Sequence, residues 1–184
     1  MDFPSKDLIL RQVPLLYVET ETEEGGKQSE LAFNDTWVER ATSQTAWLEV
    51  KLNGQIKLPK LIADGVLVST AAGSTAYARA MGAMPLLVDT SALLLVGSNV
   101  LNPPSWKSAL LSYDAEIAIR NLDPTNQKRP LNAYVDGLSQ GRVKAMSIRV
   151  SRIAAAEIAF CPDHDMAEKI AQNTIPTKLV SFWI

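Results

Sequence analysis

Apolar residues along the chain fall mostly into short runs that alternate with polar residues and end at turn-forming residues. A period of two over a run of this length is typical of β-strands with one buried face. The pattern therefore predicts a mainly β protein. The predicted strands cover residues 13–20, 31–39, 46–52, 55–61, 66–69, 92–96, 115–120, 131–135, 143–150 and 153–160.

Two stretches between these strands have the composition of turns. Residues 21–27 are acidic and glycine-rich, which predicts an exposed hairpin loop. Asn53 and Gly54 form the favoured two-residue hairpin turn, because both residues tolerate positive φ. The strands on either side of each turn should therefore pair as hairpins.

The apolar period changes to that of a helix in one long window. In residues 74–84, apolar side chains recur at helical spacing, and Ser74 or Thr75 could cap the first turn. A second, short helix is predicted over residues 163–172, with Asp163 as its N-cap. Many short strands with one or two helices favour a two-sheet β-sandwich.

Composition and charge narrow the choice of function. The chain has 184 residues, 47% apolar and 21% charged, which is ordinary for a globular protein, and we expect a single domain over 1–184. A net charge of −2 without clustered Lys and Arg predicts no nucleic-acid partner and no membrane partner. With one cysteine, Cys161, and one histidine, His164, the sequence predicts neither a disulfide nor a metal site. We expect a reducing, cytoplasmic location.

Residues 64–77 combine a strand, a turn of small residues and a helix start. Small residues let a ligand approach the backbone, the N–H groups of a helix start attract polar or anionic groups, and Tyr77 offers a face for an aromatic base. This order describes a nucleotide cradle. From the residues alone, a polar-capped helix packed on a sheet is an equally good interpretation.

Within this stretch, Asp-Gly-Val-Leu-Val-Ser-Thr-Ala-Ala-Gly-Ser-Thr-Ala-Tyr resembles the signature of the NAD kinase family, D-G-apolar-x-x-S-T-P-T-G-S-T-A-Y. Two further segments follow the order of that family. Asn34-Asp35 upstream resembles its Asn-Glu pair, and residues 134–137 downstream resemble its apolar-D-G-Q. The resemblance covers about residues 10–160 and implies the family's C-terminal, all-β domain.

The resemblance also implies a set of residues that bind NAD or NADP as the ligand. Asn34 would contact the adenosine part, and Asp35 would accept hydrogen bonds from ribose hydroxyls, for which a carboxylate is a good acceptor. Asp64 would meet the nicotinamide carboxamide, and Asp136 would lie beside the reacting ribose. The residues expected to enclose the base and ribose are Thr75, Ala76 and Tyr77.

Departures from the family pattern bear on affinity and on ligand identity. Ala71 and Ala72 replace Pro-Thr, which removes a hydroxyl group. Asp35 is one methylene shorter than Glu, and Leu138 replaces Gln. Residues 82–85, Gly-Ala-Met-Pro, loosen the family's Gly-Gly-Pro turn.

The family's catalytic motif, G-G-D-G on an N-terminal α/β domain, does not occur in this sequence. We therefore expect that domain to be absent, assign no catalytic residue, and expect the chain alone to be inactive. Completed by such a domain, it would transfer phosphate from ATP with Mg²⁺, or from polyphosphate, to the 2′-hydroxyl of NAD. The alternatives are a non-catalytic NAD(P)-binding module and an oligomerisation module. The resemblance also implies a homo-oligomer.

Overall fold

The computed structural model describes residues 8–125, 128–161, 167, 170 and 171. In this part of the chain, antiparallel pairings join the strands into one eleven-stranded sheet, so the mainly β prediction is confirmed. The strands are β1 (Ile9–Thr22), β2 (Lys27–Ala32), β3 (Asp35–Arg40), β4 (Ala46–Leu52), β5 (Gln55–Ala63), β6 (Gly65–Ser69), β7 (Ala92–Ser98), β8 (Ser108–Ser112), β9 (Ile117–Asn121), β10 (Leu131–Val135) and β11 (Leu138–Phe160).

The sheet curls until its two ends meet. Its order is β5-β4-β9-β11-β10-β3-β6-β7-β8, with β1 paired to β11 and β2 paired to β1. Although β5 and β7 are far apart in this order, Ile62 of β5 donates its N–H to the carbonyl of Asn102, beyond β7, at 2.9 Å. One continuous sheet therefore supplies both layers of the predicted sandwich.

One apolar cluster fills the inside of the curl. Its fully buried members include Leu16, Leu48, Leu61, Ile119 and Met146, from β1, β4, β5, β9 and β11. Burying a side chain of this size stabilises a fold by about 1.5–3 kcal/mol. The same cluster includes Val66 of β6 and Leu93 of β7, which lie far from β4 and β5 in the sheet order, so the shared core stabilises the curl.

A second, smaller cluster lies on the outer face of the sheet. Leu67 of β6 and Leu94 of β7 point away from the main core and pack with Ala78 of the helix α1 (Tyr77–Ala80). Trp37 of β3 packs against the same cluster. The short helix is therefore fixed over β3, β6 and β7.

The helix predicted over residues 74–84 is shorter than expected. A 3-10 turn (Ala72–Thr75) and α1 take its place, and Ala76 between them has the non-helical angles φ −92° and ψ −127°. The chain leaves the helical region again at Gly82, with φ +88°. The helical spacing of apolar residues thus reflects packing on the outer face rather than one continuous helix.

The caps expected from Ser74 or Thr75 are not made, since neither helical turn has a side-chain cap. Ser74 is instead buried. Its Oγ donates to the Ala71 carbonyl at 2.6 Å and accepts from the Leu86 N–H at 2.8 Å. The hydroxyl group therefore ties the segment after α1 back to the turn at Ala71.

Three strand predictions differ from the structure. The strand predicted over residues 31–39 is split into β2 and β3 at Phe33 and Asn34. The strands predicted over 143–150 and 153–160 form one strand, β11, which pairs with β10, β9 and β1 in turn. No strand was expected at β8, where exposed and half-buried residues alternate at the edge of the sheet.

The turn predictions are confirmed. Asn53 and Gly54 both have left-handed φ values, 51° and 76°, and join β4 to β5. Residues 21–27 end β1 and begin β2 as a hairpin. The helix expected over 163–172 lies outside the described residues except at 167, 170 and 171, which are helical. Within the described ranges, no helix has both the length and the apolar character needed to span a membrane.

Candidate functional site

The loop at residues 33–35, between β2 and β3, is held on its amide side by Asp136. Asp136 lies in the turn between β10 and β11, with a left-handed φ of 46°. Its carboxylate accepts hydrogen bonds from the N–H groups of Phe33 at 2.6 Å, Asn34 at 2.8 Å and Asp35 at 3.1 Å. Two segments that are 101–103 residues apart in sequence therefore form one structural unit.

The same loop is held on its carbonyl side by the turn that follows β6. Thr70 donates from Oγ1 to the Phe33 carbonyl at 2.8 Å and from its N–H to the Asn34 carbonyl at 2.9 Å. Gly73 lies directly against the loop, since a Cβ at Gly73 would overlap the Asn34 backbone. The 33–35 loop is therefore fixed from both sides.

Asp35 is the first residue of β3 and lies where these two sets of contacts meet. The residue is only 4% exposed. Burial and, second, the negative charge of Asp136 raise the pKa of Asp35 to about 6 from 3.8. No described residue donates a hydrogen bond to its carboxylate. Near neutral pH the carboxylate is therefore largely ionised and short of donors, a state that favours hydroxyl groups from a ligand.

Aromatic rings continue from Asp35 along the same face of β3. Trp37, two residues on, shares this face because side chains alternate along a strand. Its ring stacks on Tyr134 of β10, with centroids 4.8 Å apart, and meets Tyr77 of α1 edge-on at 5.1 Å. Tyr77 is 41% exposed, so its outer face is open to a planar group.

An open cleft of about 360 Å³ lies beside these rings. In it, Asp64 occupies the corner where the chain passes from β5 to β6. Arg40 Nε lies 2.5 Å from Asp64 Oδ1, and Asn99 Nδ2 donates to Asp64 Oδ2 at 2.7 Å. The cleft thus presents a carboxylate, a guanidinium and an amide side by side. Its other polar and aromatic lining includes Trp37, Glu39 and Tyr77.

The structure brings the predicted site residues into two neighbouring places. Asn34, Asp35 and Asp136 meet at the 33–35 loop, whereas Asp64 and Tyr77 line the cleft. Trp37 joins the two places, since it follows Asp35 on β3 and touches Tyr77. The remaining two, Thr75 and Ala76, are exposed between Gly73 and Tyr77. Their expected roles in binding stay predictions.

Sequence reasoning missed four residues of this surface, which are Trp37, Arg40, Thr70 and Asn99. The alternation along β3 could have placed Trp37 beside Asp35, because residues two apart in a strand share a face. Arg40 and Asn99 reach Asp64 across 24 and 35 residues of chain, and no local pattern marks such contacts.

Known proteins similar in sequence are NAD kinases. The NAD kinase of Xanthomonas campestris pv. campestris strain 8004 is 37% identical over 150 residues, which are 82% of this chain and 57% of the relative. The NAD kinase of Mesorhizobium japonicum is 36% identical over 149 residues, 81% of this chain and 57% of the relative. The chain therefore spans little more than half the length of these curated relatives. No protein-family model matches it.

Solved structures show the same fold. Yeast NADH kinase complexed with NADH superposes with a TM-score of 0.78 at 18% identity, covering 89% of this chain and 48% of that chain. An NAD kinase from Archaeoglobus fulgidus in complex with ATP gives a TM-score of 0.66 at 18% identity, covering 81% of this chain and 54% of that chain. The fold class expected from the resemblance is thereby confirmed.

Proposed function

Since this chain is a partial-length NAD kinase-like domain, we propose that it binds NAD or NADP, with the adenosine half placed across Asp35 and Tyr77. The observation that carries the proposal is the Asp35 carboxylate, which belongs to a buried residue and accepts no hydrogen bond from a described residue. A ribose offers two adjacent hydroxyl groups, and a carboxylate has two oxygens with which to accept them.

The adenine ring would lie on the exposed face of Tyr77. Stacking of a base on an aromatic ring contributes about 1–3 kcal/mol. Ala76, which is exposed, brings little side-chain bulk to this side, so a ligand can approach the backbone there. The exposed Thr75 hydroxyl lies in the same segment and would bond the ribose.

The nicotinamide half would extend toward the cleft. A carboxamide carries both a hydrogen-bond donor and an acceptor. Each Asp64 oxygen accepts one hydrogen bond and keeps a second lone pair, and Arg40 carries further N–H groups next to it, so the cleft can satisfy both ends of the amide. We assign this pair, with Asn99, to orientation of the nicotinamide and to no proton transfer.

We extend the proposal to phosphoryl transfer only for this chain joined to a G-G-D-G domain. The chain spans 57% of the Xanthomonas relative, so the whole enzyme's activity is proposed and not assigned to these residues. The donor would be ATP with Mg²⁺, or polyphosphate, and the acceptor the 2′-hydroxyl of NAD. The described residues would contribute binding and orientation. A cytoplasmic location and a homo-oligomeric assembly belong to the same proposal.

Calorimetric titration tests the binding site through Tyr77. We expect saturable, weak binding of NAD or NADP, which Tyr77→Ala weakens by about 1–3 kcal/mol, or roughly fivefold to 150-fold. Tyr77→Phe keeps the aromatic face and is the matched control, with affinity close to that of the wild type. Equal affinity of Tyr77→Ala and the wild type would remove the base from this ring, and no saturable binding of either ligand would end the proposal.

A non-catalytic NAD(P)-binding module is the second candidate, and the lack of a G-G-D-G motif in the sequence favours it for this chain alone. We expect no NADP formation from NAD, ATP and Mg²⁺ in a coupled assay, because loss of a positioned base alone lowers rates by about 10²–10⁴. Turnover at a rate typical of kinases would contradict this expectation and favour the enzyme.

A further inference from the structure

The turn between β10 and β11 does more than connect two strands. Asp136 and Gly137 both have left-handed φ values, 46° and 82°, as a two-residue hairpin turn requires. At the same time the Asp136 carboxylate accepts from three consecutive N–H groups of the 33–35 loop. Oδ2 takes the Phe33 bond and Oδ1 takes the other two, so each oxygen is already engaged.

We propose that Asp136 is a positioning residue that serves the ligand site through Asp35, by holding the 33–35 loop and by placing its negative charge beside the Asp35 carboxylate. This inference rests on the proposed NAD(P) site at Asp35. Resemblance to the family alone would place Asp136 beside the ligand. The geometry instead points both of its oxygens at the loop.

Asp35 is held on two flanks, by the turn after β10 and by β6. The Asp136 N–H donates to the Asp35 carbonyl at 2.9 Å, while the Asp35 N–H donates to the Asp136 carboxylate at 3.1 Å. On the other flank, Asp35 pairs in register with Ser69 of β6. Loss of the Asp136 carboxylate would therefore weaken one flank of the loop, where the backbone bond from Asp136 to Asp35 remains, and leave the other flank in place.

The groups that face Asp35 predict that ligand binding weakens on acidification. Asp136 is the charged neighbour across from it, and the hydroxyls of Ser69 and Thr70, which are neutral, lie on the β6 side. The pKa of Asp35, about 6, therefore reflects burial together with repulsion by Asp136. Ribose hydroxyls donate to the ionised carboxylate, so affinity falls as Asp35 takes up a proton, by at most about tenfold per pH unit.

The first test needs no ligand. Asp136→Asn keeps the size of the side chain and tolerates the left-handed φ, but it removes the charge and one acceptor oxygen. We expect faster amide hydrogen exchange in the 33–35 loop, and a carboxyl NMR titration of Asp35 whose midpoint moves below that of the wild type. Asp114→Asn, an exposed site with the same change of charge, is the control. Unchanged exchange together with an unchanged Asp35 midpoint would overturn the positioning role.

The second test uses NAD as the probe from pH 5 to pH 8. For the wild type we expect affinity to fall below a midpoint that matches the Asp35 carboxyl titration. In Asp136→Asn we expect weaker binding at pH 8 and a lower midpoint. Unchanged affinity and midpoint would overturn the inference while leaving the binding site in place. If Asp136→Asn does not fold, the match between the two wild-type midpoints decides.

The two tests separate the inference from the function on which it rests. Absence of NAD and NADP binding by the wild type at every pH would end the proposed function, while hydrogen exchange and the Asp35 titration would still measure the hold of Asp136 on the loop. Wild-type binding that does not vary between pH 5 and pH 8 would overturn the pH dependence and leave the function standing.

Discussion

Asp35→Asn should stabilise the fold at pH 7.5 by about 1–3 kcal/mol and at the same time remove most of the affinity for NAD(P). The native pKa of Asp35, about 6, exceeds the unfolded value of 3.8, so the folded state binds the proton more tightly. The favourable contribution is present below the unfolded pKa and is lost as the pH rises through the folded pKa. Asparagine has similar size and carries no charge, so it avoids this loss.

Urea denaturation at pH 7.5 and pH 4 measures this effect. The gain of Asp35→Asn over the wild type should be largest at pH 7.5 and only a small part of that at pH 4, where the folded wild type is protonated and the unfolded chain is about half protonated. Asp114→Asn is the control for a change in net charge and should show little difference at either pH. A destabilised Asp35→Asn at pH 7.5 would mean that the carboxylate has a partner that offsets its burial.

The same variant should bind NAD(P) more weakly, although its fold is more stable. A hydrogen bond to a charged acceptor contributes about 1.5–3 kcal/mol, so NAD affinity should fall at least about tenfold. A variant that is more stable and binds less well would indicate that Asp35 is kept for function at a cost in stability. Calorimetry of the two proteins side by side gives the result, and undiminished affinity would exclude Asp35 as the ribose acceptor.

Gly73→Ala should disrupt the ligand surface more than any change of side-chain chemistry around it. The added methyl group would overlap the Asn34 backbone, which cannot turn aside as a side chain can. Overpacking of this kind costs about 1–3 kcal/mol, and here it also pushes the 33–35 loop away from Thr70. We expect a lower midpoint in thermal unfolding and loss of NAD(P) binding.

Gly26→Ala is the matched control for this change. Gly26 lies in the hairpin between β1 and β2, and a Cβ there meets the Thr22 side chain at 3.2 Å, which can adjust. The control should bind as the wild type does and unfold at nearly the same temperature. Wild-type stability and affinity in Gly73→Ala would show that the loop yields easily and that the close contact does not shape the site.

The strands could be predicted from local pattern because each needs one buried face along the curled sheet. The predicted limits of 46–52 and 131–135 match β4 and β10. The helix over 74–84 was overestimated for a physical reason. Small residues such as Ala78 and Ala83 are buried against the outer face of the sheet. Their spacing in the sequence is therefore helical although no continuous helix forms.

The site could be predicted less completely, because its geometry depends on contacts between distant segments. The order of Asn34-Asp35, the 64–77 segment and Asp136 was visible in the sequence, and the structure joins Asp136 to Asn34 and Asp35. No local pattern indicated that backbone N–H groups of the loop donate to the Asp136 carboxylate. The pairing of Asp64 with Arg40 was equally hidden.

The hold of Asp136 on the 33–35 loop also bears on the order in which the chain folds. The hydrogen bonds close loops of 101–103 residues. The entropy cost of closing such long loops arises before the new contacts can offset it. The hairpin of β10 and β11 must therefore form and dock before Asp35 is held in place. A ligand that needs this finished surface has nothing to bind on the partly folded chain, so it stabilises the protein by slowing unfolding rather than by speeding folding.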